Sequence, residues 1–161
     1  MFLKKIQELF SQEEIPFAIV GGYAVAIYGI ARGTFDVDVI TEISETNFIK
    51  IESALGSIGL KPLLPLQTKE IVQKLEFLQK EKNLIAWNFI NPDRQRESLD
   101  IVLTEDIREC KIISVETDFG KLPVVSLKDL IRMKSKTGRK QDLEDVEALK
   151  KIGLGKFPLS D

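Results

Sequence analysis

The sequence predicts an α+β fold in which a mixed β-sheet is covered by helices. Short apolar runs with the two-residue period of strands alternate irregularly with longer segments whose apolar residues recur at helical spacing. The order of these segments is neither the regular strand–helix alternation of a parallel α/β protein nor an all-β pattern. The chain has 161 residues and no long linker, so we expect a single domain over residues 1–161.

Apolar spacing, capping residues and turn residues locate the predicted elements. The predicted helices are Phe2–Phe10, Tyr23–Tyr28, Ser44–Ser57, Thr68–Glu81, Ser126–Thr137 and Arg139–Ile152. The predicted strands are Phe17–Val20, Phe35–Ile40, Leu84–Ile90, Ser98–Leu103, Lys111–Val115 and Leu122–Val125. A short polar loop joins Leu84–Ile90 to Ser98–Leu103, which favours a hairpin. The segment Lys61–Leu66 contains two prolines and is predicted to be irregular.

The composition excludes several kinds of chemistry. The chain has no histidine, which removes Ser-His-Asp and Cys-His catalysis and histidine-ligated zinc. Its single cysteine, Cys110, is expected to be structural. The net charge of −2 creates no overall field that would attract nucleic acid. No apolar run has membrane-spanning length and the N-terminus lacks a signal-peptide pattern, so we expect a cytoplasmic protein without a membrane partner.

Two glycines follow the first predicted strand. Gly21 and Gly22 lie between Phe17–Val20 and the predicted helix that starts at Tyr23. A helix N-terminus offers unpaired N–H groups and a favourable dipole to an anion, and glycine lets a phosphate approach the backbone closely. We therefore expect a phosphate site here. A tight turn without a ligand is the alternative that the glycine pair alone leaves open.

Three aspartates could be brought together by the predicted sheet. Asp36 and Asp38 lie two residues apart on one predicted strand, so their side chains leave the same face. Asp100 is the only acid within the apolar part of Ser98–Leu103. If the two strands are neighbours, the three carboxylates converge and would repel one another unless a cation lies between them. Such a cluster suits magnesium, and Asp100 could accept the proton of an attacking hydroxyl. An ordinary solvated strand face is the alternative for Asp36 and Asp38 alone.

Four other side chains could contact phosphate. Lys134 falls on the apolar face of the predicted helix Ser126–Thr137, so it either extends to solvent from the edge of the core or reaches phosphate oxygens. Arg139 follows in the loop and could add positive charge there. Arg32 could contact phosphate or only the surface, and Thr34 shares the strand parity of the two nearby aspartates.

Two acids, Asp142 and Asp145, lie near the start of the last predicted helix. Carboxylates in that position interact favourably with the helix dipole. That effect suffices to explain them at the level of sequence.

The motifs together resemble the nucleotidyltransferase superfamily with the DNA polymerase beta-like fold. The residues that carry this resemblance are Val20-Gly21-Gly22, Asp36-Val37-Asp38-Val39 and Leu99-Asp100-Ile101. Arg32-x-Thr34-x-Asp36-x-Asp38 and the segment from Leu130 through Asp142 resemble its minimal AbiEii-like branch. The resemblance implies that Asp36, Asp38 and Asp100 bind Mg²⁺ or Mn²⁺ and that Gly21-Gly22 binds a nucleoside triphosphate. It also implies in-line transfer of a nucleoside monophosphate to an acceptor, with release of pyrophosphate.

The acceptor and two alternative functions remain open at this level. The acceptor could be RNA, a protein or a small molecule, and a partner protein could take part. One alternative is a non-catalytic module, such as an antitoxin or regulatory subunit with the same fold, that binds nucleotide or a partner without turnover. The other is a structural α+β domain whose acids are scattered, which a large separation of Asp100 from Asp36 and Asp38 would favour.

Overall fold

The computed structural model describes residues 1–154. Its helices are α1 (Phe2–Gln12), α2 (Gly21–Ile27), α3 (Glu45–Ser57), α4 (Thr68–Gln73), α5 (Leu75–Lys82), α6 (Leu127–Thr137) and α7 (Lys140–Leu154). Its strands are β1 (Phe17–Val20), β2 (Val37–Thr41), β3 (Lys61–Pro62), β4 (Ala86–Ile90), β5 (Ser98–Asp106), β6 (Ile112–Thr117) and β7 (Gly120–Val125). A short 3-10 helix, Ile107–Glu109, follows β5.

The strands form one mixed sheet in the order β3-β4-β5-β2-β1-β7-β6. β1 pairs with β2 antiparallel and with β7 parallel. β2 pairs with β5 parallel, and β4 and β5 form the predicted antiparallel hairpin. The α+β prediction with a mixed sheet is therefore confirmed.

The two faces of the β4–β5 hairpin have different surroundings. Trp87 and Phe89 of β4 and Leu99 and Ile101 of β5 are fully buried in the core. Trp87 stacks on Phe48 of α3, with ring centroids 5.2 Å apart. The alternate residues of both strands, which include Asp100, are half-buried or, at Thr104, exposed. The strand period thus directs apolar side chains into the core and polar side chains to the opposite, more open face.

Several predicted boundaries differ from those of the structure. β2 begins at Val37, so Asp36 lies in a bend before the strand and not within it. The predicted helix Thr68–Glu81 is interrupted at Lys74, whose φ and ψ of −110° and 19° are not helical. Gln67, and not Thr68, caps its first part through a reciprocal capping box with Glu70.

A short strand also lies in the segment that was predicted to be irregular. Lys61 and Pro62 pair with β4 at the edge of the sheet, where a proline is tolerated because the outer side of an edge strand needs no ladder hydrogen bond. Within residues 1–154, no helix combines the length and the apolar character needed to cross a membrane.

Candidate active site

Asp38 and Asp100 lie opposite each other on neighbouring parallel strands. In the register of β2 against β5, Val37 pairs with Leu99, Asp38 with Asp100 and Val39 with Ile101. Asp38 and Asp100 share the half-buried face, while their apolar neighbours on both strands point into the core. The sequence predicted convergence of the acids only if their two strands were neighbours, and the structure shows that they are.

Asp36 joins the other two acids from the bend before β2. Its side chain is exposed and lines the same pocket as Asp38 and Asp100. It is also close enough to raise the pKa of both other carboxyl groups through charge repulsion. The structure therefore places the three predicted acids in one cavity, although Asp36 lies in an irregular segment and not on a strand.

The carboxyl group of Asp38 is disfavoured in its ionised form. Burial raises its pKa to about 7, and the charges of Asp100 and Asp36 act in the same direction. The charge of Lys134 and the backbone N–H of Gly22 oppose this shift. An added cation between the acids would relieve the repulsion that raises the pKa.

Asp100 is held in place by a residue that the sequence motifs did not identify. Asn88 lies opposite Asp100 in the β4–β5 register and donates a hydrogen bond from Nδ2 to Oδ1 of Asp100 at 2.7 Å. Burial raises the pKa of Asp100 and Asp36 adds to this, whereas the hydrogen bond from Asn88 lowers it. In the sequence, Asn88 is the polar residue of an otherwise apolar strand, at a position whose side chain faces away from the core. That pattern could have identified it.

One cavity of about 700 Å³ contains all nine predicted site residues. The three acids line it, and Asp38 lies beside the glycine turn that joins β1 to α2. The open face of β4 and β5 forms one wall, and α6 with the start of α7 forms another. The predicted residues that line the cavity are Gly21, Gly22, Arg32, Thr34, Asp36, Asp38, Asp100, Lys134 and Arg139.

The two glycines are required by close packing against the site. Gly21 has a φ of +64°, and a Cβ added to it would lie 2.7 Å from Cγ of Asp38. A Cβ on Gly22 would lie 2.8 Å from Oγ1 of Thr34. Helix α2 begins at Gly21 itself, two residues earlier than the spacing predicted. The glycine pair thus lets the Asp38 carboxylate and Thr34 lie directly against the turn.

Lys134 is buried in an ion-pair cluster. Its Nζ lies 3.0 Å from Oδ1 of Asp142 and 3.1 Å from Oδ2 of Asp145. Arg32 also pairs with Oδ2 of Asp145, and Nε of Arg139 donates to Oδ2 of Asp142 at 2.7 Å. Burial lowers the pKa of Lys134 and the charge of Arg32 adds to this, while Asp142 raises it.

The helix dipole is therefore not a sufficient explanation for Asp142 and Asp145, although Asp142 does lie in the first turn of α7. Their side chains are only 2% and 8% exposed, and each pairs with two basic residues. Burying a carboxylate is costly unless it is paired, so these partners account for the two acids better than a helix dipole does. The sequence did not identify the two acids as site residues, because Arg32 and Lys134 lie in other segments and the nearby Arg139 does not by itself indicate burial.

The donor set of the three central acids fits a divalent cation. They are hard oxygen ligands that repel one another in a shared pocket, which is the situation that magnesium or manganese relieves. Within residues 1–154, no three acidic or sulfur-bearing side chains already stand at the mutual distances of a formed metal site. Asp36 is the exposed member of the three, whereas Asp38 and Asp100 are half-buried on their strands.

Replacing Gly21 by alanine tests the packing of the turn. We expect Gly21→Ala to lower the free energy of unfolding by about 2–4 kcal/mol, since alanine is strained at positive φ and its Cβ collides with Asp38. Gly56→Ala is the matched control, because no heavy atom lies within 4 Å of its added Cβ and the residue is helical. That variant should unfold like the native chain or be about 0.5–1 kcal/mol more stable. Urea denaturation measures both, and equal stability of Gly21→Ala and the native chain would contradict the packing described.

The ion pairs of Asp142 predict a pH-dependent stability. Burial alone would raise the pKa of Asp142, but hydrogen bonds from Thr137, Arg139 and Lys134 outweigh it and lower the pKa to about 2. The ionised group therefore contributes stability that is present above its unfolded pKa of 3.8 and lost as the pH falls towards 2. Asp142→Asn should cost about 2 kcal/mol at pH 7 and progressively less below pH 4.

Denaturation of the Asp142→Asn variant at a series of pH values measures this difference. Asp118→Asn serves as the control, because Asp118 is exposed in the turn between β6 and β7. A loss for Asp142→Asn that stayed constant from pH 7 to pH 2 would show that the charge of Asp142 does not stabilise the fold.

Comparison with known proteins identifies the family. A family model described as "nucleotidyltransferase of unknown function (DUF6036)" matches residues 1–155. No curated protein matches this sequence. The solved structure of the lincosamide antibiotic adenylyltransferase LnuA with lincomycin bound has a TM-score of 0.63 at 18% identity, over 94% of this chain and 96% of that one.

Two further solved structures share the fold. The antibiotic-resistance factor ANT(2'')-Ia in solution has a TM-score of 0.62 at 15% identity, over 96% of this chain and 83% of its own. An antigenic nucleotidyltransferase-like protein from Paracoccidioides brasiliensis has a TM-score of 0.57 at 13% identity, over 91% of this chain and 72% of its own. At such low identity these likenesses show the fold alone, and the AbiEii-like branch stays a prediction. Since the family model spans nearly the whole sequence, the chain belongs to the DUF6036 family of nucleotidyltransferases.

Proposed function

We propose that this protein transfers a nucleoside monophosphate from a nucleoside triphosphate to an acceptor hydroxyl or amine, with Mg²⁺ or Mn²⁺ as cofactor. The observation that carries the proposal is the pairing of Asp38 with Asp100 across β2 and β5, beside the Gly21-Gly22 turn and within reach of Asp36. Membership of the nucleotidyltransferase family supports the reaction class.

Asp36, Asp38 and Asp100 are the residues that would hold the metal. When bound, a divalent cation neutralises phosphate charge and makes an attacking hydroxyl more acidic. The protein's own contribution is to keep Asp38 and Asp100 side by side against their repulsion, which the β2–β5 pairing and the hydrogen bond from Asn88 support, with Asp36 lining the same cavity. Burial of Asp38 adds to the advantage of a bound cation, because it raises the pKa of the unliganded carboxyl group.

The triphosphate would occupy the part of the cavity lined by the glycine turn and the basic residues. Arg32, Lys134 and Arg139 together face the two carboxylates of Asp142 and Asp145, so this cluster carries one excess positive charge. Such an excess attracts phosphate oxygens, and arginine can bind them through two parallel hydrogen bonds. Thr34 lies against the turn and lines the cavity, and its hydroxyl, which donates to the backbone oxygen of Asp36 at 3.4 Å, can donate to a phosphate oxygen instead.

The proposed reaction is an in-line displacement at the α-phosphorus. The acceptor oxygen or nitrogen forms a bond to this atom, and the bond from the α-phosphorus to the oxygen that bridges it to the β-phosphate breaks. Pyrophosphate leaves with that electron pair, and the acceptor's proton passes to Asp100. Burial raises the pKa of Asp100, which improves its capacity to accept a proton.

The acceptor is the least constrained part of the proposal. RNA, a protein and a small molecule are the candidate acceptors, and a partner protein could take part. The name of LnuA describes adenylyl transfer to a lincosamide antibiotic. A small hydroxylated molecule is therefore the first acceptor class to test here.

Release of pyrophosphate tests the reaction. The purified protein is incubated with Mg²⁺, each of the four labelled nucleoside triphosphates, and acceptors from the three classes. We expect pyrophosphate release with at least one triphosphate, and a rate about 100-fold lower for Asp100→Asn because the proton acceptor and a metal ligand are lost. Asp118→Asn should keep the native rate, because Asp118 is exposed and does not line the cavity.

Calorimetric titration with the same nucleotides separates transfer from binding alone. Metal-dependent binding without pyrophosphate release for any combination would favour the non-catalytic module. Absence of binding for every triphosphate in the presence of Mg²⁺ or Mn²⁺ would contradict the proposal.

A further inference from the structure

Asp145 lies behind the wall of the cavity and not in it. Its side chain is 8% exposed and does not line the cavity, whereas Arg32 and Lys134 do. One oxygen, Oδ2 of Asp145, pairs with Nζ of Lys134 at 3.1 Å and with Nη1 of Arg32. A single buried carboxylate oxygen therefore bridges two basic side chains that face the cavity.

The two bridged cations come from separate parts of the chain. Arg32 belongs to the irregular segment between α2 and β2, and Lys134 lies near the end of α6. Like charges repel, and the charge of Arg32 contributes to the lowered pKa of Lys134. Without an anion between them, the arginine would be free to turn away from the lysine, since the segment that carries it is neither helix nor strand.

Arg32 also retains unused hydrogen-bonding capacity. Its Nε is buried and has no hydrogen-bond partner among the described residues. A guanidinium group has five N–H donors, and a buried donor without a partner is costly. Because Arg32 lines the cavity, an anion there could accept hydrogen bonds from guanidinium N–H groups that do not pair with Asp145.

Asp142 has a different position and serves as a comparison. It pairs with Lys134 and Arg139, accepts a hydrogen bond from Thr137, and itself lines the cavity. Substituting Asp142 would thus change the surface that a ligand meets. Asp145 offers a cleaner test, because its substitution leaves the lining of the cavity chemically unchanged.

We propose that Asp145 is a positioning residue that keeps Arg32 and Lys134 side by side on the cavity wall, where both can contact the phosphate oxygens of a nucleotide. This inference rests on the proposed function. Asp145 touches neither nucleotide nor acceptor and acts only through the two cations. Its loss allows the cations to separate, so it weakens nucleotide binding and raises KM while kcat changes little.

Calorimetric titration with Mg²⁺ and the nucleotide that the native protein binds most tightly tests this role. Asp145→Asn and Arg32→Ala should each weaken binding about tenfold. The double variant should fall clearly short of the hundredfold loss expected for independent sites, since Asp145 acts partly through Arg32. Glu97→Gln is the matched control, because Glu97 is a partly buried acid paired with Lys5 at 3.5 Å and does not line the cavity.

The outcomes separate this inference from the proposed function. The positioning role would be overturned if a folded Asp145→Asn protein bound nucleotide with native affinity, or if the affinity losses of the double variant were fully additive. The proposed function would still stand in that case, provided that the native protein binds nucleotide. Failure of the native protein to bind any nucleotide would overturn both. If Asp145→Asn does not fold, Asp145→Glu is tested instead, because it retains the charge and moves the shared oxygen by one methylene. A loss of nucleotide affinity of about threefold in this variant supports the positioning role, and native affinity overturns it.

Discussion

The parallel pairing of β2 with β5 is the constraint on which the site depends. Its register sets Asp38 against Asp100, and the strand period turns the residues on either side of each acid into the core. Burial of apolar side chains such as Val37 and Leu99 fixes this register, because a slip by one residue would move them to the open face. The same packing that stabilises the sheet therefore holds two like charges together.

Buried groups of both charges surround this pair of acids. On one side, Asp38 is disfavoured as an anion, which creates an advantage for a bound cation. On the other side, Lys134 is buried and paired with Asp142 and Asp145, which compensates its charge in the basic wall of the cavity. The Gly21 turn joins the two regions, since it lies against the Asp38 carboxylate at a backbone angle that favours glycine.

The residues that follow from local patterns were largely predictable from the sequence. Strand period predicted that Asp100 lies on the face opposite to Leu99 and Ile101, and the glycine pair and the Asp-x-Asp motif marked the turn and the acids. The bend at Asp36 was missed because a two-residue period cannot show where a strand begins. All nine predicted site residues line one cavity, but their assigned roles in binding and catalysis remain proposals.

The residues that support the site could not be found in this way. Asn88 acts through the register of a hairpin, and Asp145 pairs with Arg32 across 113 positions of the chain. Such partners are defined by tertiary packing, and no local spacing encodes them. For Asp142 the sequence offered the helix dipole as a sufficient explanation, because its nearness to Lys134 and Arg139 along the chain does not show that the carboxylate is buried among them.

The most direct measurement of the central claim is a crystal structure of the protein with Mn²⁺ and a non-hydrolysable nucleoside triphosphate, with anomalous scattering used to locate the metal. The account predicts Mn²⁺ coordinated by Asp36, Asp38 and Asp100, and the triphosphate between the Gly21-Gly22 turn and the basic wall. Anomalous density remote from these acids, or a triphosphate bound elsewhere while the three carboxylates carry no metal, would contradict it.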